Sequence, residues 1–239
     1  GLKALENQET HIMVAAGMGV TKDDVSVGAA LKSHCESMVP ENRERIGVVG
    51  CEDTAIEDIK KIMDGIDSDR VILVAPGIEV EKGVYSGAYA AAAVAGKIAS
   101  LASHVSLTNK TLPITGLTKE FVQNRVCALE KKRGFRIVRG ITSSTNTAWT
   151  QITTRRIVDY AKFGVRASGL PYIGLLNNAR VRGALKATLD GFLFTMVRDE
   201  ALTGYSLSVS ATRQDEIAGR CLVDMTLKPT FSIDYIRVT

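Results

Sequence analysis

A glycine pair after an apolar run is the first feature of this 239-residue chain that could hold a phosphate. Ile12-Met13-Val14-Ala15-Ala16 reads as a buried strand, and Gly17-Met18-Gly19 as the turn that follows it. A dinucleotide fingerprint wants a third glycine at position 22, where Lys22 stands. A Walker-type loop occurs nowhere in the chain. A glycine turn at a strand end is the favoured reading. No G-x-S-x-G elbow appears: Tyr85-Ser86-Gly87 is only superficially like one, since Val84 stands where its first glycine would be. His34 and Cys35 are adjacent, and adjacent helical residues point apart, so adjacency alone makes no thiolate–imidazolium pair. The four cysteines, Cys35, Cys51, Cys127 and Cys221, form no C-x-x-C pair, and with His11, His34 and His104 they spell no zinc cluster. They read as small buried thiols of a reducing compartment, Cys127 and Cys221 each within an apolar periodicity. The acidic pairs Asp23-Asp24, Glu52-Asp53 and Glu57-Asp58 are sequential, and no spacing marks them as metal ligands. No catalytic, cofactor-binding or metal site is expected, and no cofactor.

Charge is distributed unevenly. Residues 1–90 hold 16 acidic and 9 basic side chains, a net of −7. Residues 91–239 hold 10 and 21, a net of +11. Such a chain fits a nucleic-acid binder or a self-complementary subunit whose basic face meets the acidic face of the next copy. The basic groups are Lys131-Lys132-Arg133, Arg155-Arg156 and Arg180 to Arg182. Nucleic-acid surfaces interleave such groups with aromatics, which are only 5% here, so a protein–protein surface is preferred. Charged residues run through positions 1–20, which shows no secretory signal. The weakly polar stretch Gly83–Ala102 is Ala- and Gly-rich and too weak for a membrane span. A soluble intracellular protein is expected.

The elements that must position these groups alternate. Ile46–Gly50 and Val71–Ala75 are short apolar runs that fit strands buried on both faces. Helices are expected over Val27–Met38 and from a Thr54 cap through Asp64, which makes a parallel βαβ unit. The longest helical signal is 83–105, with Ala88, Ala92, Ala93, Gly96 and Ala99 as a small face fit for close packing. Thr118–Lys132 reads as a helix with Val122, Val126 and Leu129 inward, and Phe135–Ile141 as a third buried strand. Ile152–Ala167 and Ala179–Leu202 read as helices, the second stopped by Gly204. Beyond it the period becomes two: Tyr205-Leu207-Val209, then Cys221-Val223-Met225-Leu227, then Phe231-Ile233-Tyr235. The phase slips to Ile236 and Val238, which suggests a bulge or a change of neighbour. The fold class is mixed α/β, a mainly parallel sheet flanked by helices with antiparallel C-terminal strands. One core of 1–239 is expected, 1–204 as its α/β part and 205–239 as the strands.

One ordered series goes further. It runs Val71-Ile-Leu-Val-Ala-Pro-Gly77, Gly87-Ala-Tyr-Ala-Ala-Ala-Ala-Val-Ala-Gly96, Leu107-Thr-Asn-Lys110 and Val138-Arg-Gly-Ile-Thr142. It continues through Trp149, Arg155-Arg-Ile-Val-Asp159, Tyr172-Ile-Gly174 and Asn177 to Phe231-Ser-Ile-Asp-Tyr-Ile-Arg-Val-Thr239. Over residues 46–239 this series resembles contractile tail sheath proteins of myophages, phage-like bacteriocins and related injection machines. The resemblance implies a structural subunit that polymerises around a tail tube and contracts to drive injection. It implies as partners further copies of itself, the tail tube protein, and baseplate and tail terminator proteins, with no nucleic acid and no membrane. It implies a place in the virion tail, reached from the host cytoplasm during assembly. Terminal arms of the family add strands to neighbouring subunits.

The residues expected at the subunit interface are Asp64, Asp67 and Asp69 on the acidic side and Lys131, Lys132, Arg133, Arg155 and Arg156 on the basic side. Ile236 and Val238 join them as the strand that leaves its own sheet. The alternative is a nucleotide-binding α/β enzyme using the Gly17–Gly19 turn. A nucleic-acid binder on the basic half is the third reading.

Overall fold

Apolar runs without a polar phase must be covered on both faces, and the two clearest of them lie side by side as parallel strands. The computed structural model describes residues 1–52, 55–117 and 125–238. They fall into two units, Gly1–Arg155 with the C-terminal residues from Ser232, and Arg156–Phe231. The first unit begins with α1 (Leu2–Leu5), β1 (Ile12–Val20), α2 (Ser26–Ser37), β2 (Ile46–Cys51), α3 (Ile56–Gly65) and β3 (Val71–Ala75). Then come β4 (Ile78–Val80), β5 (Gly83–Tyr85), α4 (Gly87–Ala99), β6 (Gly116–Leu117), β7 (Cys127–Lys131) and β8 (Phe135–Ile137). The main sheet has the order β1-β2-β3-β7-β8, with β8 antiparallel to β7 and the other pairs parallel. Strands β5, β4 and β6 form a small antiparallel sheet beside it.

The main sheet is covered on both sides, as continuous apolar strands require. Val48, Ile72 and Val74 pack with Ala90, Ala91, Val94 and Ile98 of α4. Val49, Val71 and Leu73 pack with Leu31 and Cys35 of α2 and with Ile59, Ile62 and Met63 of α3. The small residues of α4 matter at one end. A β-carbon on Gly50 would lie 1.8 Å from the Gly87 carbonyl oxygen, and one on Gly87 would lie 2.0 Å from that of Cys51. Helix and strand backbones therefore touch there, which only glycine at both places allows. The small face ends early: Gly96 and Ala99 are exposed, so none of the described residues covers that side of the helix.

The second unit takes α5 (Ile152–Gly169) from Arg156 onward, then α6 (Ala179–Arg198), β9 (Leu202–Ser210), α7 (Arg213–Ile217) and β10 (Leu222–Pro229). Ile157, Ala161 and Val165 meet Leu185, Leu189, Leu193 and Met196, and the β9–β10 hairpin lays Tyr205, Leu207, Val209, Met225 and Leu227 on them. The Asn178 carboxamide oxygen caps α6 by accepting from the Val181 N–H. Thr212 and Asp215 form a reciprocal capping box on α7. Among the described residues no helix is long and apolar enough to cross a membrane.

Several expectations are corrected. The 83–105 helix is Gly87–Ala99, because Gly83–Tyr85 pairs with β4 instead. Cys127–Lys131 is a strand, not the end of a helix; its fully buried start hides the period of two. Residues 118–124 of that expected helix, Val122 among them, lie outside the described residues, as does Thr54. Gly204 lies inside β9: α6 stops at Arg198, and Glu200 takes the left-handed conformation there at φ 59°. The third antiparallel strand, expected from Phe231, forms no ladder among the described residues. Cys221 is exposed, while Cys35, Cys51 and Cys127 are buried. Burial pushes the Cys127 thiol up to about 12, so it stays protonated and inert.

Candidate assembly surfaces

Gly17-Met18-Gly19 does not form a turn leading to a helix. All three lie in β1, where pairing with β2 changes register between Val14 and Gly19. Gly17 has φ +73° with the Tyr89 hydroxyl beside it, and a β-carbon on Gly19 would meet the Glu52 side chain at 2.4 Å. Those glycines make room for an aromatic and a carboxylate. A carboxylate repels the phosphate that the alternative reading would put there, and α2 starts only at Ser26.

The acidic residues 64, 67 and 69 flank the end of α3 and the approach to β3. Asp64 is the open one, its side chain 78% exposed and 3.4 Å from Arg125 Nη2. Asp67 Oδ1 accepts from the Thr145 N–H at 2.9 Å, Oδ2 accepts from the Thr145 hydroxyl at 2.6 Å, and Arg125 Nη1 lies 3.6 Å away. Burial would raise the Asp67 carboxyl, but the Thr145 hydrogen bonds and the Arg125 charge outweigh it and hold the group below its ordinary range. Asp69 Oδ2 accepts from Arg155 Nη1 at 2.6 Å. Two expected contact residues from opposite sides of the charge split thus meet inside one unit. Arg155 also lies over the Trp149 ring, its Cζ 4.1 Å from the centroid. Arg156 is half-buried, and burial depresses its guanidinium.

Lys131, Lys132 and Arg133 form the tip of the β7–β8 hairpin. Lys131 pairs with Phe135, and Arg133 and Gly134 turn the chain at φ 51° and 101°. All three basic side chains are exposed. Lys131 Nζ lies 5.9 Å from the Phe135 ring centroid.

The residues that the sequence did not reveal hold the C-terminus. Gln151 grips Ser232 from both sides: its Nε2 donates to the Ser232 carbonyl at 2.8 Å, and its Oε1 accepts from the Ser232 N–H at 2.8 Å. Asp234, whose side chain is only 6% exposed, accepts from the Thr108 hydroxyl at 2.9 Å, from Arg139 Nη2 at 3.1 Å and from Gln151 Nε2 at 3.1 Å. Ser232 and Asp234 alternate with Phe231, Ile233 and Tyr235, and the polar residues point inward. Phe231 is 58% exposed, Ile233 79%, Ile236 82% and Val238 90%. The alternation was legible; which of its faces turns inward was not. Gln151→Ala is expected to raise amide exchange at Ser232 at least about fivefold, since a lost hydrogen bond of this kind is worth about 1 kcal/mol or more. Exchange in β9 and β10 should stay unchanged, and nuclear magnetic resonance reads both.

A family model described as phage tail sheath protein central domain matches residues 1–143, and one described as phage tail sheath C-terminal domain matches residues 144–239. No curated protein matches the chain. Among solved structures it is similar to the sheath complex of the extracellular contractile injection system PVC in its contracted state. That match has a TM-score of 0.80 at 13% identity and covers 100% of this chain and 73% of the other. The sheath tail protein of Listeria innocua gives 0.76 at 15% identity, covering 97% and 56%. That of Desulfitobacterium hafniense gives 0.72 at 15%, covering 96% and 58%. The chain thus spans less than two thirds of the length of either sheath tail protein. At such identities these likenesses speak for the fold, and the family models speak for the family.

Proposed function

Because the chain belongs to the phage tail sheath family, we propose that it is a structural subunit that polymerises with further copies into a helical sheath around a tail tube and contracts to drive injection. The observation that carries the reading is the C-terminal segment. Among the described residues, 231–238 form no ladder and turn Phe231, Ile233, Tyr235, Ile236 and Val238 outward. Such a segment supports pairing with a neighbouring copy, by main-chain hydrogen bonds and apolar burial. A head-to-tail contact that does not close gives a helix of subunits.

The charged contacts of this reading are the exposed hairpin tip Lys131, Lys132 and Arg133 on one copy and the exposed Asp64 on another. Asp67, Asp69, Arg155 and Arg156 are the further charged groups of this reading, Asp69 and Arg155 as a pair within one copy. Ile236 and Val238 supply the apolar part. The partners beyond the chain itself are the tail tube protein and the baseplate and tail terminator proteins. The place is the tail of a virion or particle, with assembly in the host cytoplasm. The role is mechanical and needs neither catalysis nor cofactor.

Sedimentation velocity on the full-length protein tests the polymerisation. Mass should grow with concentration to large assemblies, and raising the salt from about 0.1 M to 1 M should shift growth to higher concentration, because the Debye length falls from about 10 to 3 Å. A single small species at every concentration and salt would contradict the reading.

A further inference from the structure

We propose that residues 2–8 are latched to the first unit by an arginine clamp that His34 opens as the solution turns acidic. The clamp is Arg45, just before β2 and only 1% exposed. Its Nη1 donates to the Leu5 carbonyl at 2.9 Å and its Nη2 to the Gln8 carbonyl at 3.2 Å, while Nε donates to the Arg43 carbonyl at 3.2 Å. Arg43 adds a second grip, Nη1 donating to the Glu6 carbonyl and to Asn7 Oδ1. Helix α1 contributes no buried residue. Leu2 and Leu5 are half-buried against the core, so the two guanidinium groups are the main polar hold on this segment.

His34, on α2 and 7% exposed, faces the clamp with Nε2 3.2 Å from Arg45 Nη1. A guanidinium has donors only, so this contact is a hydrogen bond only while Nε2 keeps its lone pair. The latch therefore needs a neutral imidazole. Protonation removes the acceptor and sets a second cation against Arg45 in a buried place, where like charges repel most. Among the described residues, the charged and titratable groups around the pair include Arg45 and Arg43 from the segment before β2, Arg70 with its Nη1 on the Arg45 carbonyl at 3.2 Å, Cys35 from α2, and Glu6 from the N-terminal segment. Burial first, and then the Arg45 charge, hold the imidazole below its ordinary range, while Glu6 works the other way.

The sign follows from the linkage. Release of the segment lets water reach the ring and relieves the burial that is the largest cause of the shift, which moves the imidazole back up toward its ordinary range near 6.5. Latched, its value is lower. The latch is therefore complete above about pH 6.5 and weakens as pH falls from there through the latched value. The population ratio changes by about tenfold for each unit between the two values.

Hydrogen exchange of residues 1–11 in the full-length protein, at pH 7.5 and 5.5 and corrected for the intrinsic rates, tests this. Wild type should lose protection at pH 5.5. His34→Gln, whose amide oxygen accepts at any pH, should keep it, and His11→Gln should behave as wild type. Equal loss in His34→Gln, or no loss in wild type, overturns the latch. Should His34→Gln not fold, the wild-type imidazole resonance decides. A His34 titration below 6.5 that coincides with the onset of exchange supports the latch, and a titration above 6.5 overturns it.

Discussion

Gly50→Val is expected to leave the first unit unfolded or severely destabilised. The α-carbon of Gly50 lies so close to α4 that an added β-carbon falls 1.8 Å from the Gly87 carbonyl oxygen, and the obstacle is backbone, which cannot rotate away. To make room, α4 must lift from the strand, and Ala90, Ala91, Val94 and Ile98 lose their contact with Val48, Ile72 and Val74. Overpacking in a close-packed core costs about 1–3 kcal/mol where side chains can yield, and a backbone clash lies at or above that range. Against a total domain stability of about 5–15 kcal/mol, that is a large share. Gly96→Ala in the same helix is the control. Beyond the helix's own backbone no described residue comes within 4 Å of a β-carbon there, so the exchange should stabilise by about 0.5–1 kcal/mol through helix propensity alone. Thermal unfolding followed by circular dichroism reads both. A Gly50→Val protein melting within about 2 °C of wild type would mean that α4 does not sit on β2 in this way.

The second large effect concerns assembly and leaves the fold alone. Lys131→Glu, Lys132→Glu and Arg133→Asp together reverse the charge of an exposed hairpin tip; aspartate at 133 suits the left-handed backbone there. Each exposed charge pair is worth a few tenths to about 1 kcal/mol, and reversal replaces attraction by repulsion. Over three residues the association constant of one contact should fall by about a hundredfold. A lattice repeats that contact at every subunit, so the sheath pelleted by ultracentrifugation should be nearly absent. Melting temperature should stay near wild type. Adding Asp64→Lys should restore part of the yield if the two surfaces meet. Wild-type yield in the triple variant would remove the hairpin from the interface.

How much of this could be read from the residues differs by element. Ile46–Gly50 and Val71–Ala75 were legible as buried strands because a run of β-branched residues without polar phase has few other homes. Helices α5 and α6 were legible from their inner rows, to within a few residues at their ends. Cys127–Lys131 was not, because Val126 and Leu129 also fit a helical spacing and a strand buried on both faces shows no alternation. The C-terminal segment misled in a different way. Ser232 and Asp234 look like a solvent face, yet Gln151, Arg139 and Thr108 lie far away in sequence and turn that face inward. Long-range polar partners leave no local periodicity to read. The acidic and basic groups were legible as charge, but the pairing of Asp69 with Arg155 within one unit needed the fold.

Negative-stain electron microscopy of the purified protein, at the full length in which it is made, tests the central claim most directly. Striated tubes of stacked rings, growing in number with protein concentration, are the result expected of a sheath subunit. Dispersed particles at every concentration, from protein whose circular dichroism shows it folded, would contradict the account.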